Sequence, residues 1–255
     1  ENTRRKRFGS CGFEQPFGWM VSMSDAAVLT AEEAASEHRQ GALAAGTRIS
    51  GVLDLSADAW PPGTGLFRRL PEDLDVEVLR LNGRTGVDRV LPSRLTAYEL
   101  SLRDSDVSTI PPGFAIQSRF DLTNCTFLNE LPRGLTVGSL QLAGCTGLRS
   151  LPEALDVWFL DLAGCWALEV WPESARVRSG QLSLPGCVAL HSLPESLERL
   201  SALDVRECPQ LASLPSRLNV SGWLDLAHSG LTTEESVPAS VGVAELRWRR
   251  VPIDR

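Results

Sequence analysis

Residues 131–150 read LPRGLTVGSLQLAGCTGLRS, and residues 151–168 read LPEALDVWFLDLAGCWAL. The second line repeats the first at a period of 20 residues. The recurring positions are Leu131, Leu135, Val137, Leu140, Leu142, Cys145 and Leu148, which return as Leu151, Leu155, Val157, Leu160, Leu162, Cys165 and Leu168. A fixed period of this length, with Leu-x-Leu followed by Cys, predicts a solenoid built from stacked coils.

The same unit extends in both directions from this stretch. An apolar residue followed by proline opens each coil, at 70–71, 91–92, 110–111, 131–132, 151–152, 171–172, 193–194, 214–215 and 237–238, with prolines 19 to 23 residues apart. Each opening is followed by a strand whose inward pair has Leu-x-Leu form, and a tenth strand precedes the first opening. The pairs are Leu53/Leu55, Leu79/Leu81, Leu100/Leu102, Phe120/Leu122, Leu140/Leu142, Leu160/Leu162, Leu182/Leu184, Leu203/Val205, Leu224/Leu226 and Leu246/Trp248.

The fold class predicted from these units is an α/β repeat with a curved parallel sheet of short strands. Because side chains alternate along a strand, the residue between each inward pair should lie on the opposite, concave face. The repeat is too short for a full helix on its return arm, and proline there favours extended backbone. We therefore expect a convex side that is mostly extended.

The segments before the repeats divide into two parts. Residues 1–28 form an irregular lead-in whose basic run, 4–7, is either a targeting or cleavage signal or a solvated terminus. Residues 29–50 are predicted to cap the solenoid: Thr30 and Glu33 have capping-box spacing, and a helix is expected from Ala31 to Ala44. Residues 51–255 then form about nine to ten coils.

The composition excludes several classes of partner. The net charge of −7 argues against nucleic acid, since phosphate binding requires a basic face. No apolar run long enough to cross a membrane is present, so no membrane is expected. With no secretory signal visible, we expect a cytoplasmic protein, or an effector secreted without such a signal. The first residue is Glu1 and no cap follows the last strand, which favours a processed product or a segment of a longer chain.

Five of the six cysteines follow the repeat: Cys125, Cys145, Cys165, Cys187 and Cys208. Their spacing of 20 to 22 residues differs from that of zinc-ligand pairs, so they are predicted to be buried, reduced thiols with a structural role. Cys11 lies outside the repeat and could be reactive, although a lone thiol is more often incidental.

The sequence contains no pattern typical of an active site. It has no phosphate-binding loop, no dinucleotide fingerprint and no nucleophile elbow. Its three histidines, His38, His191 and His228, lie in different units without ligand spacing. We therefore expect no enzyme activity, no cofactor, no metal and no small-molecule substrate.

The concave strand face is the candidate binding site. Half of the residues between the inward pairs are Asp, and aromatic and Arg side chains border them. Such a face has the residue types of interface anchors and could recruit a basic protein segment; the alternative is that its charges only keep an exposed sheet soluble. The candidate partner-binding residues are Asp121, Asp161, Asp204, Asp225, Phe159, Trp223, Arg103, Arg119 and Arg206.

In its motifs LDLAGCWALEVWP and LDVRECPQLASLP, the chain resembles leucine-rich repeat proteins, in particular the repeats of plant intracellular immune receptors. The short period and the Leu-Pro opening are similar to those of bacterial effector proteins, which usually have Asn where this chain has Cys. The resemblance implies a cytoplasmic protein-recognition module that acts as a sensor or recruitment unit. The alternative is a substrate-targeting segment of a larger effector or enzyme, such as a ligase or protease complex, whose catalytic domain lies elsewhere.

Overall fold

A computed structural model describes residues 28–60, 67–178, 180–231, 236–238, 241 and 245–247. The chain forms one continuous parallel sheet with two helices among these residues. The elements are β1 (Val28–Thr30), α1 (Ala31–Gln40), β2 (Arg48–Asp54), β3 (Leu74–Arg80), α2 (Val87–Val90), β4 (Arg94–Ser101), β5 (Gly113–Asp121), β6 (Thr136–Gln141), β7 (Asp156–Asp161), β8 (Arg176–Val177), β9 (Gln181–Ser183), β10 (Arg199–Asp204), β11 (Asn219–Asp225) and β12 (Glu245–Arg247).

The strands follow one another across the sheet in chain order. The order runs from β1 to β7 and continues through β9, β10, β11 and β12, while β8 also pairs with β7. All strand pairings among the described residues are parallel, as expected when each coil returns the chain to the same edge. The molecule is thus a leucine-rich repeat solenoid, as the sequence predicts.

The inward pairs form the core of the solenoid. From Leu53/Leu55 to Leu224/Leu226, the nine predicted pairs are all buried. The side chains of the predicted tenth pair, Leu246/Trp248, lie outside the described residues. The backbone of β12, which includes Leu246, pairs with β11. Because each Leu packs against its equivalents in adjacent coils, burial of these rows stabilises the stack along its whole length.

A second row of inward residues lies upstream of the first and was not predicted. In β3, Leu74 and Val76 are buried, and two residues, Glu77 and Val78, then separate Val76 from Leu79. The extra residue shifts the alternation by one position, as a β-bulge does. The buried pairs of this row are Leu74/Val76, Leu95/Ala97, Phe114/Ile116, Leu135/Val137, Leu155/Val157, Ala175/Val177 and Leu218/Val220.

The N-terminal cap has the predicted capping box. The Thr30 hydroxyl accepts from the Glu33 amide, and the Glu33 carboxylate accepts from the Thr30 amide at 2.8 Å. The helix ends at Gln40 rather than Ala44, because Gly41 adopts a left-handed conformation, with φ of 74°, that terminates it. The short strand β1, which was not predicted, precedes the helix and pairs with β2.

The return arms carry little helix. In the described part of the chain, α2 is a single turn and the remaining arms are turns and extended segments, as the short repeat predicts. No helix among the described residues is long and apolar enough to cross a membrane. The lead-in up to residue 27, with its basic run and Cys11, lies outside the described residues.

Candidate functional site

The strand register aligns the residues between the inward pairs into one row, which we call the concave row. Each member is the direct neighbour of the next on the adjacent strand, as the sequence predicts. The row consists of Asp54, Arg80, Ser101, Asp121, Gln141, Asp161, Ser183, Asp204, Asp225 and Arg247.

The aspartates of this row close the turn that follows each strand. Asp121 Oδ1 accepts from the Thr123 amide at 3.1 Å and from the Thr123 hydroxyl at 2.7 Å. A carboxylate that accepts from the amide two residues later forms an Asx turn, which replaces the hydrogen bond that the amide loses as it leaves the sheet. The same bond joins Asp54 to Ser56, Asp161 to Ala163, Asp204 to Arg206 and Asp225 to Ala227.

Three of the four predicted partner-binding aspartates are nearly inaccessible. The side chains of Asp121, Asp204 and Asp225 are 5%, 8% and 13% exposed, and Asp161 is half-buried. These three carboxylates are thus largely covered from solvent, since the fold itself uses them. Their burial could not be predicted from the sequence, because an Asp at a strand end is compatible with either role.

The arginines beside these aspartates differ in how firmly they are held. Arg206 Nε and Nη2 donate to Asp204 at 2.9 and 2.7 Å, and these hydrogen bonds raise the pKa of Arg206. Arg119 Nη2 lies 3.2 Å from Asp121 and donates to Gln141 at 2.7 Å. Arg103 Nε lies 4.0 Å from Asp121, beyond hydrogen-bond distance. Arg103 is therefore the loosest of the three predicted arginines.

Aromatic side chains lie on the same face, one row before the aspartates. The predicted Phe159 and Trp223 are half-buried there, and Tyr98 is about half exposed. The most prominent is Trp158, which was not predicted although it is 53% exposed. It lies between the buried residues Val157 and Leu160, at the bulge of β7, and the repeat pattern of the sequence does not distinguish this position.

Trp158 stands between two glycines. Gly138 precedes it on β6 and Gly180 follows it in the next coil. A Cβ added to Gly138 would lie 2.7 Å from the Ser118 carbonyl oxygen, and one added to Gly180 would collide with the Trp158 carbonyl oxygen. Since these positions admit no side chain without a backbone shift, neither of them covers the indole. The charged residue beside Trp158, Arg178, is drawn to Asp156 by its hydrogen bonds.

A polar cavity of about 390 Å³ opens on the concave face near the N-terminal end. It spans four strands, from β2 to β5, and contains residues of both charges. Its lining consists of Asp54, Ser56, Asp58, Ala59, Val78, Arg80, Asn82, Glu99, Leu100, Ser101, Arg103, Arg119 and Asp121.

The five repeat cysteines are free and buried, which confirms their predicted structural role. Each thiol donates to a leucine carbonyl of the preceding coil at 3.0 to 3.2 Å, namely Cys125 to Leu102, Cys145 to Leu122, Cys165 to Leu142, Cys187 to Leu162 and Cys208 to Leu184. Burial raises the pKa of all five, to about 12 at Cys165 and about 11 at Cys208. Thiols so weakly acidic are poor nucleophiles at neutral pH.

In the part of the chain that the structure describes, no group of three or more His, Cys, Asp or Glu side chains could hold a metal ion. The concave face presents aromatic surface, guanidinium donors and a shaped polar cavity.

No protein-family model matches the sequence, and no curated protein matches it. Among solved structures, the chain is similar to the leucine-rich repeat domain of the type III effector XopL, with 21% sequence identity and a TM-score of 0.37 over 67% of this chain and 69% of that domain. The assignment as a leucine-rich repeat solenoid is based on the buried Leu-x-Leu pairs and the parallel register of the chain itself.

Proposed function

We propose that the chain is a non-enzymatic recognition module that binds a protein partner through its concave strand face. The observation that carries this proposal is the exposed indole of Trp158 at the centre of that face. Exposed tryptophan surface costs free energy in water and is enriched among the residues that dominate interfaces. Its flanking glycines place no side chain over that surface.

The construction of the sheet favours binding. The strands from β2 to β11 along the sheet pair in parallel on both sides, and buried leucine rows lie beneath the concave face. A face that is already ordered loses little conformational entropy when a partner docks, so more of the contact energy appears as affinity. The repeat thiols are buried below this face.

A partner with a basic segment was predicted from the aspartates of the concave row. Asp121, Asp204 and Asp225 would attract such a segment through carboxylates that are buried and already accept hydrogen bonds from turn amides. Their field still extends to the surface, but a basic side chain could not form close contacts with them without opening the turns. A basic partner thus stays a prediction, with fewer available contacts than the sequence indicates.

The proposal is tested by comparing two tryptophans of similar exposure. Trp158 lies on the concave face, whereas Trp166, 59% exposed, follows Cys165 in the turn beyond it. Proteins from a source lysate are captured on the native chain, on Trp158→Ala and on Trp166→Ala, and are identified by mass spectrometry. We expect a protein retained by the native chain and by Trp166→Ala to be lost from Trp158→Ala.

Circular dichroism on the three proteins checks that each is folded, and Trp158→Ala should leave the spectrum unchanged because the side chain is exposed. Equal retention by both variants would remove the concave face as the binding site. Turnover of any substrate by the isolated chain would contradict the non-enzymatic part of the proposal and favour a catalytic role.

A further inference from the structure

We propose that the partner segment is bipartite, with an acidic side chain held between Arg80 and Arg103 and an apolar side chain against Trp158, about six residues away. This inference rests on the proposed function and specifies the chemistry of the partner. It follows from the donors in the N-terminal cavity, from the exposed indole beyond it and from the distance between the two.

The cavity contains guanidinium groups that the fold leaves loosely paired. Arg80 lies 3.9 Å from Asp54, and Arg103 lies 4.0 Å from Asp121, so neither ion pair is within hydrogen-bond distance. Both side chains are about half exposed, at 48% and 47%. Arg206, by contrast, is firmly paired, because its guanidinium donates to both oxygens of Asp204. Each loosely paired arginine retains a fork of N–H donors that fits a carboxylate.

The carboxylates of the same cavity compete little for these donors. Asp121 is buried and accepts from Thr123 and Arg119, and one oxygen of Asp54 accepts from the Ser56 amide. Their charges still lower the affinity for an anion, as do those of Asp58 and Glu99, which also line the cavity.

The arrangement along β4 directs an incoming acid to one side. Glu99 lies two residues before Ser101, and Arg103 lies two residues after it, so the negative and positive side chains flank Ser101 from opposite ends. Arg80 is the direct neighbour of Ser101 on β3. An acidic side chain is therefore repelled at the Glu99 end and attracted toward the Arg80–Arg103 end.

Beyond the cavity, the two rows that precede the aspartates become largely uncharged. From β6 to β11, the following members of these rows are small, amide or aromatic residues: Gly138, Ser139, Trp158, Phe159, Gly180, Gln181, Ser201, Ala202, Gly222 and Trp223. Trp158 is the most exposed aromatic side chain among them. The guanidinium of Arg178, the charged residue beside it, donates to Asp156 on β7. A partner residue that covers the indole is best apolar, because a charge there would lose its hydration while the nearest charged groups are already paired with each other.

The separation of the two subsites sets the spacing in the partner. Trp158 on β7 is three strands from Arg103 and four strands from Arg80. With strands about 4.8 Å apart, the offset across the sheet is about 14 to 19 Å. Trp158 also lies three residues before the concave row that contains Arg80, about 10 Å along the strand, so the two subsites are about 17 to 22 Å apart. An extended chain that rises about 3.3 Å per residue covers this distance in about six residues, and the segment would cross the strands obliquely.

Selection from a phage-displayed library of random dodecapeptides tests the inference on the whole chain. The library is panned in parallel on the native protein, on the double variant Arg80→Gln/Arg103→Gln, on Trp158→Ala and on a control, Arg133→Gln. Arg133 is more exposed than either cavity arginine and pairs with Glu153 outside the cavity. Fluorescence anisotropy then measures the affinity of a synthetic peptide selected by the native protein.

We expect the native protein and Arg133→Gln to select Asp or Glu about six positions from an apolar residue. The double arginine variant should lose the acidic preference but keep the apolar one, and Trp158→Ala should do the reverse. The selected peptide should bind the double arginine variant about tenfold more weakly, because two charge-assisted contacts are removed.

Two results would contradict the inference while leaving the proposed function in place. The first is selection of basic or uncharged peptides whose binding still requires Trp158. The second is a preference for acidic residues that persists in the double arginine variant. Recovery of no peptide by the folded native protein would count against the proposed function itself.

Discussion

Asp204 shows how a single carboxylate on the concave face can be committed to the fold. It accepts from the Arg206 amide at 3.1 Å, while the guanidinium of the same Arg206 covers it from outside. The carboxylate thereby replaces a strand hydrogen bond and is neutralised in place, which is the usual condition for a buried charge. What a partner meets at this position is the outer edge of an arginine rather than an aspartate.

The repeat thiols in the interior are also committed to the fold, because each one forms a hydrogen bond to the preceding coil. Cys165 donates to the Leu142 carbonyl at 3.1 Å and so joins two coils, at an oxygen that also accepts from the Cys145 amide of its own turn. Ser105 occupies the equivalent position one coil before Cys125, with the two heteroatoms 3.6 Å apart. The site requires a small side chain that can donate, and a thiol does so with little desolvation cost.

Because burial raises their pKa, the repeat thiols should be unreactive while the chain is folded. In a Cys11→Ser variant at pH 8, we expect the thiol reagent 5,5′-dithiobis(2-nitrobenzoic acid) to label almost none of the five repeat cysteines, and all five once the chain is unfolded in guanidinium. Absorbance of the released thiolate measures both counts. Rapid labelling of one or more thiols in the native protein would mean that a coil opens far more easily than its packing indicates.

At the scale of elements, the N-terminal cap joins α1 to the first coils through an aromatic cluster. The buried imidazole of His38 lies edge-on to Trp60 and Phe67, with ring centroids 5.6 and 5.2 Å away. Burial lowers the pKa of His38, and the nearby charges of Arg68 and Arg84 lower it further. The cap is thus built around a neutral histidine.

Stability of the cap should therefore decrease as the pH falls. The unfolded state binds a proton near the ordinary histidine pKa of about 6.5, while the folded state resists protonation to a lower pH, so the free energy of unfolding decreases from about pH 6.5 downward. Urea denaturation at pH 7.5 and 5.5 measures this loss. We expect it to be smaller in His38→Phe and unchanged in His191→Phe, since His191 is exposed. An equal loss in His38→Phe would assign the pH dependence to other groups.

The sequence predicted the strands because each one depends on a local rule. Leu160 and Leu162 alternate around Asp161, and Thr30 and Glu33 have capping-box spacing, so both patterns can be read within a few residues. The bulge that exposes Trp158 could not be read in this way. In VWFLDL, Val157, Phe159, Leu160 and Leu162 are all apolar, and only contact with the adjacent coils decides where the alternation slips.

The candidate site, likewise, could be predicted from the sequence only where it follows the spacing of the repeat. The register of the concave row was predictable from the spacing of the repeat, and the structure confirms it. Asp121 is buried because its carboxylate accepts from an amide of the following turn, whereas Arg103 makes no such contact and stays exposed. The periodicity of the sequence does not specify contacts of this kind between side chain and backbone.

For the molecule as a whole, stacking in one dimension gives the solenoid an axis with two chemically different ends. Loosely paired arginines line the concave face near the cap, whereas beyond β5 the charged side chains Arg178 and Arg206 are hydrogen-bonded to aspartates and aromatic side chains are exposed beside them. Because each coil contacts only its neighbours, such a gradient is built by varying one surface position per coil while the buried rows stay constant. This separation lets the core and the recognition surface be examined by independent substitutions.

Substitutions two residues apart on β7 test that separation. Leu160→Ala empties a fully buried position in the middle of the stack and should lower the free energy of unfolding by about 2 to 5 kcal/mol, through the lost contacts and the cavity left behind. Trp158→Ala, on the exposed face, should change it by less than about 0.5 kcal/mol. Urea titrations followed by circular dichroism measure both changes. A small effect at Leu160 together with a large one at Trp158 would mean that the inward row is displaced by a residue, and the concave surface with it.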